Sequence, residues 1–154
     1  FNAQLYAPEE MCSYKDTADF FWVTDHGTRG RIDMVVYSFP YVSGRTFTLD
    51  YLVAMRDSVL GEHIQGAFPG SYMTTEKRFT PSYEAISKNG EYCGVVRGLW
   101  EMEGDMMGGP FVSHAHLDEK NQRVVAETFV YAPGTKKAKL LRRGEASLYT
   151  FCMD

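Results

Sequence analysis

His114, His116 and Asp118 alternate along the segment Phe111–Asp118 (FVSHAHLD). Successive side chains of an extended strand point to opposite faces, so these residues share one face, about 6.5–7 Å from one to the next. Two imidazoles and a carboxylate in that arrangement form a metal-binding set, and a metal with an open position activates water for hydrolysis. The bland alternative is an exposed strand face beside a turn. Glu101 and Glu103 share a face as well, with Asp105 just beyond them. Retaining glycosidases use carboxyl pairs about 5–5.5 Å apart and inverting ones use wider pairs. Strand spacing fits poorly between the two, so solvated charges are the expectation. Cys93 sits in mid-strand among apolar neighbours, where a thiol behaves as a small buried hydrophobe; its reactive alternative is a dyad with His114. The sequence contains no Gly-x-Ser-x-Gly, no P-loop and no dinucleotide glycine pattern. No catalytic residue and no cofactor follow from it.

Two further groups of residues suit binding rather than chemistry. Trp22, Trp100 and Tyr92, with Phe111, are candidates for an aromatic platform for glycan, although strand aromatics are expected to be mostly buried. Lys136, Lys137, Lys139, Arg142 and Arg143 gather five cations at the start of the last helix. That end of a helix disfavours positive charge, so helix stability does not account for them. A solvated outer face is one reading; docking to anionic headgroups or an acidic partner is the other.

These residues must be positioned by one domain, since the chain has 154 residues. A net charge of −4 lacks the basic footprint of a general nucleic-acid binder. Cys12, Cys93 and Cys152 are odd in number and follow no metal-ligand spacing. No apolar run approaches the ~20 residues of a membrane helix. The chain begins at Phe1 without an initiating Met or a signal peptide, as a processed product or fragment would.

Residues 1–18 read as a polar lead-in with one helical turn at Pro8–Met11. Asp19–Asp25 and Arg31–Tyr41 form a hairpin through His26–Gly30. In the second run Val35, Tyr37 and Phe39 share one face and Ile32, Met34 and Val36 the other, so it is covered on both sides. Thr48 caps a helix over 49–60 that Gly61 stops. A strand follows at Tyr72–Phe79, which Pro81 interrupts and Tyr83–Ser87 resumes. Asn89-Gly90 is a type I′ hairpin signal leading into Glu91–Glu103. On that strand Gly94 and Gly98 leave gaps for something large, a helix or Trp100 itself. Phe111–Asp118, a tight turn at Glu119–Gln122, and Arg123–Tyr131 complete a meander, with Val125, Phe129 and Tyr131 on one face. Thr135 caps a last helix, roughly 136–151, buried along Leu141, Gly144, Leu148 and Phe151. The fold expected is α+β: about six mostly antiparallel strands with two helices packed on them, in the order β-β-α-β-β-β-β-α. By element order it is similar to the PsbP/Mog1-like sandwich.

The segments Gly98–His114 (GLWEMEGDMMGGPFVSH), Asp50–Leu60 (DYLVAMRDSVL), Gly70–Glu76 (GSYMTTE), Phe129–Pro133 (FVYAP) and Glu145–Thr150 (EASLYT) carry a resemblance. Together they resemble an uncharacterised Bacteroidetes lipoprotein family, domain of unknown function (DUF) 4837, from about Ser13 to Phe151. The resemblance implies a lipid-anchored domain of the cell envelope, the C-terminal part of a longer lipoprotein whose N-terminal anchor lies outside this chain. Gly144 departs from it, since a longer polar residue is expected there. The resemblance brings no activity and no catalytic residues. The function expected is a non-catalytic binding or assembly module for an envelope protein or glycan. Its rival is a metal-assisted hydrolase using the His114/His116/Asp118 face, and a pocket on that face would separate the two.

Overall fold

Strands with two apolar faces need cover on both sides, and the fold supplies it with one sheet between two helices. The computed structural model describes residues 3–25, 27, 30–41, 48–118 and 122–153. In it β3 (Phe20–Thr24) and β4 (Arg31–Pro40) form the expected hairpin, with Phe20 opposite Tyr37. The hairpin link at His26–Gly30 and the turn at Glu119–Gln122 fall largely outside the described residues. β7 (Glu91–Glu103), β8 (Gly108–Leu117) and β9 (Gln122–Tyr131) make the meander, and β9 then lies antiparallel along the whole of β4. The main sheet has eight strands rather than about six. Its order is β2-β3-β4-β9-β8-β7-β5, with β6 also on β7.

The additional strands come from segments too short or too polar for periodicity to register. β2 (Ser13–Asp16, SYKD) pairs with β3 inside what reads as a lead-in, and β1 (Ala3–Gln4) pairs with β10 (Cys152–Met153). The turn expected at Pro8–Met11 is present as one bond, from the Met11 N–H to the Pro8 carbonyl at 3.3 Å. On the other side of the sheet β5 (Tyr72–Thr75) and β6 (Ser82–Lys88) share one edge of β7. β5 takes Trp100–Glu103 and β6 takes Glu91–Arg97. Pro81, which cannot donate to a ladder, lies between them. Asn89 and Gly90 close the β6–β7 hairpin with φ of 54° and 80°, as a type I′ turn requires.

α1 (Leu49–His63) starts where expected, with the Thr48 hydroxyl accepting from the Tyr51 N–H at 3.3 Å. It runs past Gly61, which is no stop: the helix continues to His63. α2 (Ala138–Leu148) is shorter than expected, and Thr135 does not cap it. The Thr135 hydroxyl donates to the Ala132 carbonyl instead, and Lys137 precedes the helix without a side-chain cap. Gly144 faces β9 so closely that a Cβ would fall 2.1 Å from Thr128 Oγ1. The longer polar residue expected there has no room.

The two helices lie on opposite faces. On the α1 face Leu52 and Leu60 pack with Val35, Tyr37, Phe39, Trp100, Phe111 and Phe129. On the α2 face Leu148 and Phe151 pack with Met34, Val36, Cys93, Val95, Val112 and Ala126. The gaps at Gly94 and Gly98 hold neither a helix nor Trp100. The Tyr83 ring lies against Gly94, and Phe111 with Pro81 against Gly98. An ion pair also lies in the α1-side core. Arg56 Nε and Nη2 donate to Glu127 Oε1 and Oε2 at 2.7 and 3.1 Å, and Nη1 donates to Thr75 Oγ1 at 2.9 Å.

Candidate functional site

Parity along β8 places His114 and His116 on one face, as the sequence predicts, and that face is the α2 side of the sheet. β7 brings a third donor. Val95 is the partner of His114 across the β7–β8 ladder, and Cys93 lies one same-face position further along. One ligand atom each from Cys93, His114 and His116 lies within 4.8 Å of the others. Asp118 is not among them. The strand ends at Leu117, and Asp118 turns to close the loop, accepting the Gln122 N–H at 2.8 Å and donating its own N–H to the Gln122 carbonyl.

The face is not a flat solvated strand. Cys93 and His114 are fully buried and His116 nearly so. Tyr149 meets the His114 ring edge-on at 5.0 Å, and the Phe151 ring lies 5.1 Å from His116. Beside them Lys88 Nζ donates to the Leu148 carbonyl at 2.7 Å. Burial, and then the Lys88 charge, push the imidazoles down, His114 to about 4 and His116 to about 3. Burial pushes the Cys93 thiol up to about 11. Both rings are therefore neutral at physiological pH with lone pairs available. Among the described residues, neither nitrogen of His114 nor Nε2 of His116 has a hydrogen-bond partner. Buried polar atoms are normally satisfied, so these orphaned nitrogens call for an explanation.

An open groove of about 590 Å³ lies elsewhere, lined among others by Glu76, Arg78, Phe79, Glu101, Met106 and Lys137. Arg78 grips Glu76 with three N–H donors, its backbone N–H at 2.9 Å, Nε at 3.0 Å and Nη2 at 2.9 Å. That grip holds the Glu76 carboxyl down at about 2, while a hydrogen bond to Glu76 raises Glu101. Glu101 thus pairs with Glu76 rather than with Glu103, which is exposed. Asp105 accepts the Met106 N–H at 2.7 Å and serves its turn. The residues of this groove come from three separate stretches of chain; the sequence singles out Glu101, Asp105 and Lys137 among them but gives no sign that they meet.

The family described as "Domain of unknown function (DUF4837)" matches residues 1–150. The chain belongs to that family. No curated protein matches it. A solved structure similar to this DUF4837 domain is a crystal structure from Bacteroides thetaiotaomicron VPI-5482, with a TM-score of 0.46 at 10% identity. The match covers 99% of this chain and 45% of that one, so the chain spans under half of its neighbour's length. The PsbP/Mog1-like likeness remains an analogy of element order.

The aromatic platform is not assembled in this DUF4837 domain. Trp100 is buried, with its indole N–H on the Val130 carbonyl at 3.1 Å and a Cβ-less Gly109 beside the ring. The Trp22 indole N–H is held by Asp33 Oδ1 at 3.0 Å, and the Tyr92 hydroxyl bonds that of Tyr83. Of the five cations, Arg143 is paired with Glu10 at 2.6 Å and Lys137 lines the groove. Lys136, Lys139 and Arg142 face solvent.

Proposed function

We propose that this domain is a non-catalytic binding module of the cell envelope, lipid-anchored, that holds a protein partner in the groove at Glu76, Arg78, Phe79 and Met106. The observation that carries the reading is the groove itself. It offers charges of both signs beside large exposed apolar side chains, Met106 at 99% and Phe79 at 60% exposure. A polypeptide presents that mixture; for a sugar the groove offers one exposed ring, Phe79, because Trp100, which also lines it, is buried. Exposed apolar residues rimmed by polar ones mark interaction sites. Against the hydrolase alternative we weigh that a catalytic metal keeps an open position for water and substrate. His114 and His116 lie under Tyr149 and Phe151 instead. The envelope setting is carried over from the resemblance of the sequence to a lipoprotein family.

The test places a photo-crosslinking amino acid at Phe79, Met106 or Tyr14 of the protein in its own cells. Tyr14, exposed on β2 at the opposite edge of the sheet, is the control. One polypeptide captured from positions 79 and 106, not from 14, and lost with Arg78→Glu, is the expected result. Equal capture from all three positions, or recovery of the chain in the cytosolic fraction, would contradict the reading.

A further inference from the structure

The sealed triad has features that a packing role leaves unexplained. A thiol and two imidazoles converge within 4.8 Å, and three ring nitrogens there bond nothing among the described residues. We propose that Cys93, His114 and His116 form a three-coordinate site for a soft monovalent metal ion, cuprous copper.

Donor chemistry comes first. Thiolate selects copper(I), zinc and iron–sulfur clusters, and imidazole suits copper and zinc. Metal–ligand bonds of ~2.0–2.3 Å set trigonal donors roughly 3.5–4 Å apart, so the three side chains need to close by about 1 Å or less. Side-chain rotation in two neighbouring strands supplies that without moving the ladder. Ligation would also bind one ring nitrogen of each histidine, removing most of the unsatisfied polarity.

Charge and coordination number choose the ion. Lys88 faces both histidines, Arg97 acts on His114 and Arg123 on His116, with Glu145 the opposing carboxylate. A divalent ion with a single thiolate would leave buried positive charge beside the Lys88 ammonium, a costly arrangement. A monovalent ion leaves the site neutral. Structural zinc is almost always four-coordinate, and the cluster supplies three donors. Copper(I) accepts three. Tyr149 and Phe151 cover the rings, which keeps water and oxidants from the ion.

The experiment titrates the metal-free chain anaerobically with copper(I) against the chromophoric chelator bicinchoninate. One equivalent withdrawn from the chelator is expected, with X-ray absorption showing one sulfur and two nitrogen scatterers. Cys93→Ser should weaken binding by roughly a hundredfold or more, and Cys12→Ser and Cys152→Ser should leave it unchanged, since thiolate is the soft donor. Should Cys93→Ser fail to fold, the scattering shell of the wild-type protein still decides the ligand set. The proposal is overturned if bicinchoninate keeps the copper, if the shell lacks sulfur, if folded Cys93→Ser binds as tightly, or if one equivalent of zinc displaces copper from the triad.

Discussion

Arg56 and Glu127 meet through two parallel N–H···O bonds, Nε to Oε1 at 2.7 Å and Nη2 to Oε2 at 3.1 Å, where neither side chain touches water. The guanidinium also lies 3.9 Å from the centre of the Phe111 ring. This pair pins α1 to the central strand β9 from a separation of 71 positions.

Removing Glu127 leaves the buried Arg56 guanidinium with a weaker counter-charge, the Asp57 carboxylate 3.7 Å from its Nη1. Glu127→Ala should therefore cost about 3–5 kcal/mol in chemical denaturation. The double change Arg56→Met with Glu127→Leu should cost far less, because an apolar pair of similar volume needs no compensation. Equal losses in the single and double variants would contradict this account.

At Gly144 helix propensity and packing pull in opposite directions. On an exposed helix alanine gains up to about 1 kcal/mol over glycine. Here the added carbon meets Thr128 Oγ1, Cβ and Cγ2 at 2.1, 2.9 and 3.0 Å. Gly144→Ala is expected to lower stability by roughly 1–3 kcal/mol through overpacking. Thr128→Ala in the same chain should recover part of it, read as the thermal midpoint.

The metal-free protein should lose stability in mild acid. His114 and His116 stand at about 4 and about 3 when folded, against 6.5 when exposed. Below pH 6.5 the unfolded chain binds protons that the folded chain does not, so stability falls as pH drops from 6.5 toward 3–4 and is level above 6.5. The loss by pH 5 is on the order of 2 kcal/mol for each histidine. His114→Phe and His116→Phe should each flatten the urea-midpoint profile between pH 5 and 7.

Arg78 is what holds Glu76 down at about 2. In Arg78→Ala the Glu76 carboxyl should titrate near 4.5, its ordinary value, as followed by carbon NMR of the side chain. Arg78 is exposed but the Glu76 side chain is buried, so the same change, which takes two charged donors from a buried carboxylate, should also lower stability. A Glu76 titration that ignores the substitution would assign the shift to the Glu101 contact instead.

Local signals made much of the fold legible. Asn89-Gly90 announces its hairpin because only a positive φ at both positions closes it. β4 reveals its double burial through Val35, Tyr37 and Phe39 against Ile32, Met34 and Val36. Faces follow from parity, but register does not. That is why His114 and His116 could be grouped from their spacing while Cys93, on another strand, could not join them. Asp118 has the right parity and the wrong end of the strand. Glu127 hides for a related reason: it shares a face with Val125 and Phe129, and its partner Arg56 is remote in sequence. β2 is too short and polar to rise above a lead-in.

The ladder between β1 and β10 has a mechanical consequence. Ala3 lies opposite Met153 and Gln4 opposite Cys152, so the two described ends of the chain leave from the same side of a two-rung ribbon. A pull applied between them loads those rungs one after the other, as a zipper is opened, rather than shearing them together. Tension is therefore relieved at the ribbon first. The eight-stranded sheet, whose ladders run between interior segments, bears load only after that ribbon has parted.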